Sequence, residues 1–164
     1  MRSVLIRMGR QRGVVAVELA LVAIPLAVMT LVAIEFGRAM YTYNTLAKLT
    51  RDGARFMSAF DPTIATEYPK EILVNRMLWG KDTPGADNEV LVSGLTAGMI
   101  TVCDRADASA CPGDSFANVA TGEGSINLVR VSIEGYRFQP IFPAASGWGI
   151  FTFDTISTTM RQVI

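Results

Sequence analysis

Hydrophobic residues are concentrated in one segment near the N-terminus. Residues 14–34 are apolar except for Glu18, Pro25 and Thr30. A helix of that length rises by about 31 Å, which matches the hydrocarbon core of a bilayer. A core helix of a globular domain would show one polar face, and a secretory signal peptide would have a shorter apolar region followed by a small-x-small cleavage site. The pattern therefore predicts a transmembrane helix over residues 14–34.

The helical pattern continues beyond this segment in a different form. Apolar or small residues recur every three or four positions, at 36, 39, 40, 43, 46, 47, 53, 54 and 57. This spacing predicts an amphipathic extension of the same helix over residues 35–60. Asp61-Pro62 should end the helix, because the residue before proline disfavours helical geometry. We expect the apolar stripe to pack on the chain's own domain; packing against a helix of another subunit is the alternative.

Shorter elements are predicted in residues 61–164. A second helix should start at Ile64 or Pro69 and end at Trp79, where Gly80 stops it. Beyond it the pattern predicts, in order, a loop at 81–88, short strands at 90–92 and 99–103, an exposed excursion at 104–125, a strand at 128–138, an irregular segment at 139–143 and a strand at 151–160.

Two of these strands carry more detail. In the strand at 128–138, Val129, Val131 and Ile133 share one face. In the strand at 151–160 the apolar residues change phase, which predicts a bulge near Thr155. Strands that follow helices in this way indicate an α+β fold, in which the long N-terminal helix packs against a small antiparallel sheet.

Charge is distributed unevenly, although the formal net charge is zero. Residues 1–13 hold four arginines and no acid: Arg2, Arg7, Arg10 and Arg12. Because basic residues remain in the cytoplasm, the N-terminus is predicted to be cytoplasmic and the part beyond the span to lie outside. Removing these arginines leaves eleven basic against fifteen acidic residues, a net charge of −4. That balance argues against a nucleic-acid partner, which would need clustered basic residues.

Familiar catalytic and cofactor-binding patterns are missing from the sequence. There is no histidine, which excludes Ser-His and Cys-His catalysis and histidine metal ligands. Neither of the two glycine-rich phosphate-binding motifs, Gly-x-x-x-x-Gly-Lys-[Ser/Thr] and Gly-x-Gly-x-x-Gly, occurs in the sequence. Asp104, Asp107 and Asp114 lack the spacing of a calcium loop and are expected to be solvated. The sequence therefore predicts a protein without catalytic residues, metal or cofactor.

The chain has two cysteines, Cys103 and Cys111. Outside the cytoplasmic membrane, oxidising conditions favour a disulfide between them, which would close the surrounding loop. A structural bridge is strongly favoured over a redox role, because the sequence has no Cys-x-x-Cys motif.

The start of the apolar segment resembles a known processing signal. Residues 13–25, Gly-Val-Val-Ala-Val-Glu-Leu-Ala-Leu-Val-Ala-Ile-Pro, are similar to the N-terminus of a class III prepilin. The resemblance implies that residues 1–13 are a basic leader, cut by a prepilin peptidase between Gly13 and Val14. Glu18 would then be the fifth residue of the mature chain. It also assigns Glu18 and Pro25 to the processing and assembly motif.

The length of the chain and Glu18-Leu19 distinguish it from the short major Flp pilins, which have Glu-Tyr at this point. It resembles the TadE-like minor pseudopilins of tight-adherence (Tad/Flp) pilus systems. Two further matches are residues 34–38, Ile-Glu-Phe-Gly-Arg, and residues 52–55, Asp-Gly-Ala-Arg. The implied fold is pilin-like.

The resemblance implies a non-enzymatic structural role in building an adhesive type IV-like pilus. The implied partners are the prepilin peptidase, a second, TadF-like minor pseudopilin, the major pilin and the inner-membrane platform. The chain would cross the bacterial inner membrane once, with residues 61–164 forming a periplasmic domain, and could enter the extracellular pilus. The alternative function is a single-pass membrane protein, unrelated to pili, whose outer domain binds a ligand or cell-wall component.

Overall fold

The computed structural model describes residues 11–85, 89–143, 147 and 149–163 of the 164-residue chain. Two predicted features lie partly or wholly outside this range. They are the basic leader, of which residues 1–10 are outside, and the loop at 81–88, of which residues 86–88 are outside.

A single helix, α1 (Gln11–Met57), contains both the predicted span and the predicted extension. It continues through Pro25 without interruption. It ends three residues before the predicted boundary at position 60, where the Ser58 hydroxyl donates to the carbonyl of Arg55 at 2.8 Å. The two halves of α1 differ in environment. The side chains of residues 13–30 are all exposed, whereas buried positions recur from Glu35 onward.

The second helix, α2 (Lys70–Trp79), begins at the later of its two predicted starts. Gly80 ends it in the left-handed conformation, with φ of 70°, and donates its N–H to the carbonyl of Arg76. Glycine adopts this conformation without a Cβ penalty, which explains why the helix stops there. A turn of 3-10 helix at Ala97–Met99 leads into the sheet.

The sheet is built around one long strand. The strands are β1 (Ile100–Cys103), β2 (Val119–Thr121), β3 (Gly124–Ile133), β4 (Arg137–Phe138), β5 (Phe151–Thr152) and β6 (Ile156–Gln162). β3 pairs antiparallel with β1, β2 and β6, and Ile133 lies opposite both Ile100 and Ile156. β4 and β5 form a separate antiparallel pair. The α+β fold with a small antiparallel sheet is therefore confirmed.

The core lies between the sheet and the two helices. It is formed by the buried face of β3 and by apolar side chains of α1 and α2: Leu46, Ala54, Met57, Leu73, Met77, Val129, Val131 and Ile133. The predicted shared face of β3 is thus confirmed. Gly53 marks the closest approach, since a Cβ there would lie 3.0 Å from Leu73 and 3.3 Å from Val131.

Two strand predictions near the start of the domain need correction. Residues 90–92 are not a strand, because the N–H of Leu91 donates to the carbonyl of Leu78 at 2.7 Å and holds this segment on the end of α2. Residues 104–125 are not wholly an exposed excursion. They contain β2 and the start of β3, and bury Asp104, Cys111 and Phe116.

The two long predicted strands are each divided. The first breaks at Gly135, which has φ of 70°, and separates β3 from β4. The second breaks at residues 153–155 and separates β5 from β6, so the predicted bulge near Thr155 is a complete interruption. The N–H of Phe153 donates to the carbonyl of Tyr136 at 2.9 Å. The change of apolar phase therefore marks a strand that leaves one pair and joins another.

Candidate functional site

The exposed first half of α1 is a candidate interaction surface. Among the described residues, α1 is the one helix long and apolar enough to cross a membrane, and no part of its apolar window is buried inside the structure. An uncovered apolar surface of this size is unfavourable in water and requires lipid or other helices around it. An apolar helix exposed in this way fits a membrane-anchored protein.

The residues of the predicted processing motif lie on the first turns of this surface. A Cβ at Gly13 would meet no atom within 4 Å. Val14, Glu18 and Pro25 are all exposed. Val14 and Glu18 are four residues apart in a helix and therefore lie on the same face, one turn above the other. The predicted cleavage position and the acid thus lie on one exposed face of α1.

A buried carboxylate joins the helix to the domain just after the span. Glu35 has no exposed surface. Its Oε1 accepts the N–H groups of Ile141 and Phe142 at 2.8 and 3.0 Å, and its Oε2 accepts from Arg38 at 2.8 Å. The Arg38 guanidinium in turn lies 5.5 Å from the ring centroid of Phe138. We call this cluster the Glu35 joint.

Local sequence explains why the joint forms. Residues 139–143 leave regular strand pairing, as predicted, because Pro140 and Pro143 cannot donate to a ladder. The two N–H groups between them need an acceptor, and the Glu35 carboxylate provides it. The sequence resemblance includes Glu35 within residues 34–38 but does not indicate this contact. The signals that could have identified its role are a carboxylate directly after an apolar span and an arginine three residues later.

The apolar stripe along the extension divides into two parts. Ala39, Leu46, Ala54 and Met57 pack into the chain's own core, so the favoured interpretation is confirmed for them. The other part, together with Ala39, forms one side of a shallow apolar groove beside β5, which is lined by Phe36, Ala39, Met40, Tyr43, Phe151 and Phe153. Aromatic rings build its wall, with Tyr43 edge-on to Phe153 at 5.7 Å between centroids. For this part, packing against a helix of another subunit stays the alternative.

The loop after β1 is closed by the predicted disulfide. Cys103 and Cys111 are bonded with an S–S distance of 2.01 Å, and both are buried. Asp104 is only 1% exposed, contrary to the expectation of a solvated acid, since its Oδ1 accepts the N–H groups of Ala106 and Asp107. Burial, and secondarily Asp104, raises the pKa of the nearby Tyr68 hydroxyl above its usual range.

The other two acids of this region form ion pairs. Asp107 lies 3.5 Å from the Lys70 ammonium, and Asp114 lies 2.5 Å from the Arg130 guanidinium. Hydrogen bonds from Ser109, with the charge of Lys70, lower the pKa of Asp107. No group of three or more histidine, cysteine, aspartate or glutamate residues that could hold a metal occurs within the described ranges. The loop is thus organised by internal pairs.

A known protein family matches the N-terminal helix, α1. The family model described as TadE-like protein matches residues 13–55, about a quarter of the chain and nearly the whole of α1. Neither a curated protein nor a solved structure matches the chain. The resemblance to TadE-like proteins of the Tad pilus system is therefore confirmed, and the matched residues include the predicted processing motif and Glu35.

Proposed function

We propose that this TadE-like chain is a minor pseudopilin: a non-enzymatic, membrane-anchored subunit that helps to build a tight-adherence pilus through its N-terminal helix. The observation that carries the proposal is the match of residues 13–55 to the TadE-like family. The structure supports it, because the apolar half of α1 makes no core with its own domain and so remains available to lipid or to other subunits.

The leader is proposed to be removed by a prepilin peptidase between Gly13 and Val14. The open surroundings of Gly13 support this, since a peptidase must reach the bond and a Cβ at Gly13 would meet no atom within 4 Å. Cleavage creates an ammonium group at Val14. Glu18 lies one helical turn away on the same face and can pair with that charge, in the same chain or in a neighbouring one. Pairing offsets the cost of placing either charge in an apolar layer.

The proposed orientation in the membrane rests on the charge of the leader and on the disulfide. Arginines in the leader place the N-terminus in the cytoplasm and the domain in the periplasm, and the disulfide between Cys103 and Cys111 supports an oxidising compartment for the domain. The proposed partners are a TadF-like minor pseudopilin, the major pilin and the inner-membrane platform. Pro25 removes one backbone hydrogen bond within the span, and we assign it to assembly because it permits local opening of the helix.

The decisive measurement is the intact mass of the chain purified from its native host. A mature chain that begins at Val14 is expected. A chain that begins at Met1 contradicts the proposal and favours the alternative, a single-pass protein whose outer domain binds a ligand or cell-wall component. Gly13→Leu should retain the leader and leave the fold intact, because the side chain at this position meets no neighbour.

A second experiment addresses Glu18. Glu18→Ala should be cleaved but should fail to enter the pilus assembly, as measured by its co-purification with the other pilus subunits. Glu67→Ala is the matched control, because Glu67 is an exposed acid of the domain. If Glu18→Ala is processed and assembled like the control, the proposed role of Glu18 is wrong.

A further inference from the structure

Two apolar side chains of the domain are exposed beside the end of the span. Ile141 is 60% exposed and Phe142 is 42% exposed. Their backbone positions are fixed, because both N–H groups donate to the Glu35 carboxylate at 2.8 and 3.0 Å. Glu35 is the first residue after the predicted span, which ends at Ile34. The hydrogen bonds therefore define where this loop lies relative to a membrane.

The level of the loop can be worked out from helix geometry. Glu35 lies about 1.5 Å along the helix axis beyond Ile34. Because helical side chains lean towards the N-terminus, its carboxylate lies at the boundary of the hydrocarbon or slightly inside it. The headgroup layer on each side of a bilayer is roughly 5–7 Å thick. A loop bonded to this carboxylate within 3.0 Å lies at the inner edge of that layer. Ile141 and Phe142 are thus placed where hydrocarbon meets headgroups.

The chemistry of the surroundings suits this position. Glu35 is fully buried and paired with Arg38, so the joint places no unpaired carboxylate at the boundary. Phe36, Met40 and Tyr41, on the next turns of α1, are exposed as well. Of these, tyrosine is the type enriched at membrane–water interfaces, because its ring is apolar and its hydroxyl is polar.

We propose that Ile141 and Phe142 form a second membrane contact, which inserts into the leaflet on the side of the domain. The partner of this surface is the phospholipid bilayer itself, not another protein. The contact holds the domain against the membrane through two points, the span and the loop, and the Glu35 joint sets the distance between them. This inference rests on membrane anchoring alone and is independent of leader cleavage or a role in pili.

Depth-dependent quenching tests the proposal. The full-length chain carrying Ile141→Cys is labelled with a fluorophore and reconstituted into vesicles of phosphatidylethanolamine and phosphatidylglycerol that contain nitroxide-labelled lipid. Because Cys103 and Cys111 are bonded to each other, the new thiol is the one that reacts. The label replaces an exposed side chain and leaves the backbone hydrogen bond to Glu35 in place.

Two matched positions calibrate the result. Ile64→Cys labels another isoleucine, which is 44% exposed. Ile64 follows the C-terminal end of α1, and that end lies about 35 Å along the helix axis beyond Ile34. Leu21→Cys labels the middle of the span. We expect the label at position 141 to be quenched several-fold more than the label at position 64, and nearly as much as the label at position 21.

Three results would overturn the proposal. Equal quenching at positions 141 and 64 places the loop in water. Quenching at 141 that disappears as the protein-to-lipid ratio rises shows that another chain covers the surface instead of lipid. Absence of quenching at position 21 shows that α1 does not span the bilayer, and the inference then fails. That result does not affect the mass measurement of leader cleavage.

Discussion

Replacing Glu35 with alanine should weaken the attachment of the domain to its helix. The change removes the acceptor of two backbone N–H groups and the partner of Arg38. A hydrogen bond to a charged group contributes about 1.5–3 kcal/mol, and a buried donor left without a partner costs about 1–3 kcal/mol. The ion pair with the partly exposed Arg38 adds at most about 1 kcal/mol.

These terms do not simply add, because the side chains of Ile141 and Phe142 are exposed and the loop can lift to rehydrate its N–H groups. We therefore expect the free energy of unfolding to fall by about 2–4 kcal/mol. For a chain of this length, about 2–4 °C is lost per kcal/mol, so Tm should fall by about 4–16 °C. Thermal unfolding of the full chain in detergent, followed by near-UV circular dichroism, measures the change.

Two further variants show whether the reasoning is right. Glu35→Gln keeps an acceptor oxygen but loses the charge, so it should lose about half as much stability as Glu35→Ala. Glu67→Ala removes an exposed acid and should change stability by less than about 0.5 kcal/mol. If Glu35→Ala is as stable as Glu67→Ala, the joint does not support the domain. If Glu35→Gln falls as far as Glu35→Ala, the charge matters and the acceptor geometry does not.

Three other predictions concern the domain. Gly53→Val should destabilise the chain by about 1–3 kcal/mol in denaturant unfolding, because its side chain would overlap α2 and β3. The double variant Cys103→Ala, Cys111→Ala should lose about 2.5 kcal/mol, the entropy released by opening a loop of eight residues. Hydrogen bonds from Arg105 and then Thr63 hold the pKa of Asp61 at about 2, so this carboxylate stabilises the fold above about pH 4, and its contribution is lost as pH falls towards 2. Asp61→Asn should therefore flatten the loss of stability in that range, measured as the denaturant midpoint against pH.

Each of these has its own control. Gly37→Val changes the same helix where a Cβ meets no neighbour, and an equal loss there would show that packing at position 53 is not the cause. Reductant should reproduce the loss in the parent chain and leave the double variant unaffected; a parent chain indifferent to reductant would refute the disulfide argument. Arg105→Gln should flatten the acid profile as Asp61→Asn does, and two unchanged profiles would contradict the assignment to this ion pair.

Local patterns predicted the elements whose burial follows from their own sequence. The apolar span, the stop of α2 at Gly80 and the inward face of β3 are all encoded within a few residues, and the structure has them. The disulfide was likewise predictable, because the chain has only two cysteines. These features require no knowledge of what the rest of the chain does.

Features that depend on distant pairing were missed. Residues 151–160 have continuous strand propensity, but the two sides of residues 153–155 find different partners, β4 and β3. Residues 90–92 are apolar but unpaired as a strand: Leu91 is hydrogen-bonded to the end of α2, and Val92 enters the core. The Glu35 joint links positions separated by 106 and 107 residues, so no local period can reveal it. The family match covers α1 but does not extend to Ile141 and Phe142, the residues that Glu35 contacts.

The continuity of α1 has a mechanical consequence. From Ile34 to Met57 the helix extends by about 35 Å, and its buried positions fix it to the domain along most of that length. A membrane helix tilts by about 20° on average, and such a tilt would swing the far end of α1 sideways by about 12 Å. Because α1 is one continuous helix fixed to the domain, a change in the tilt of the span would move the whole domain with it.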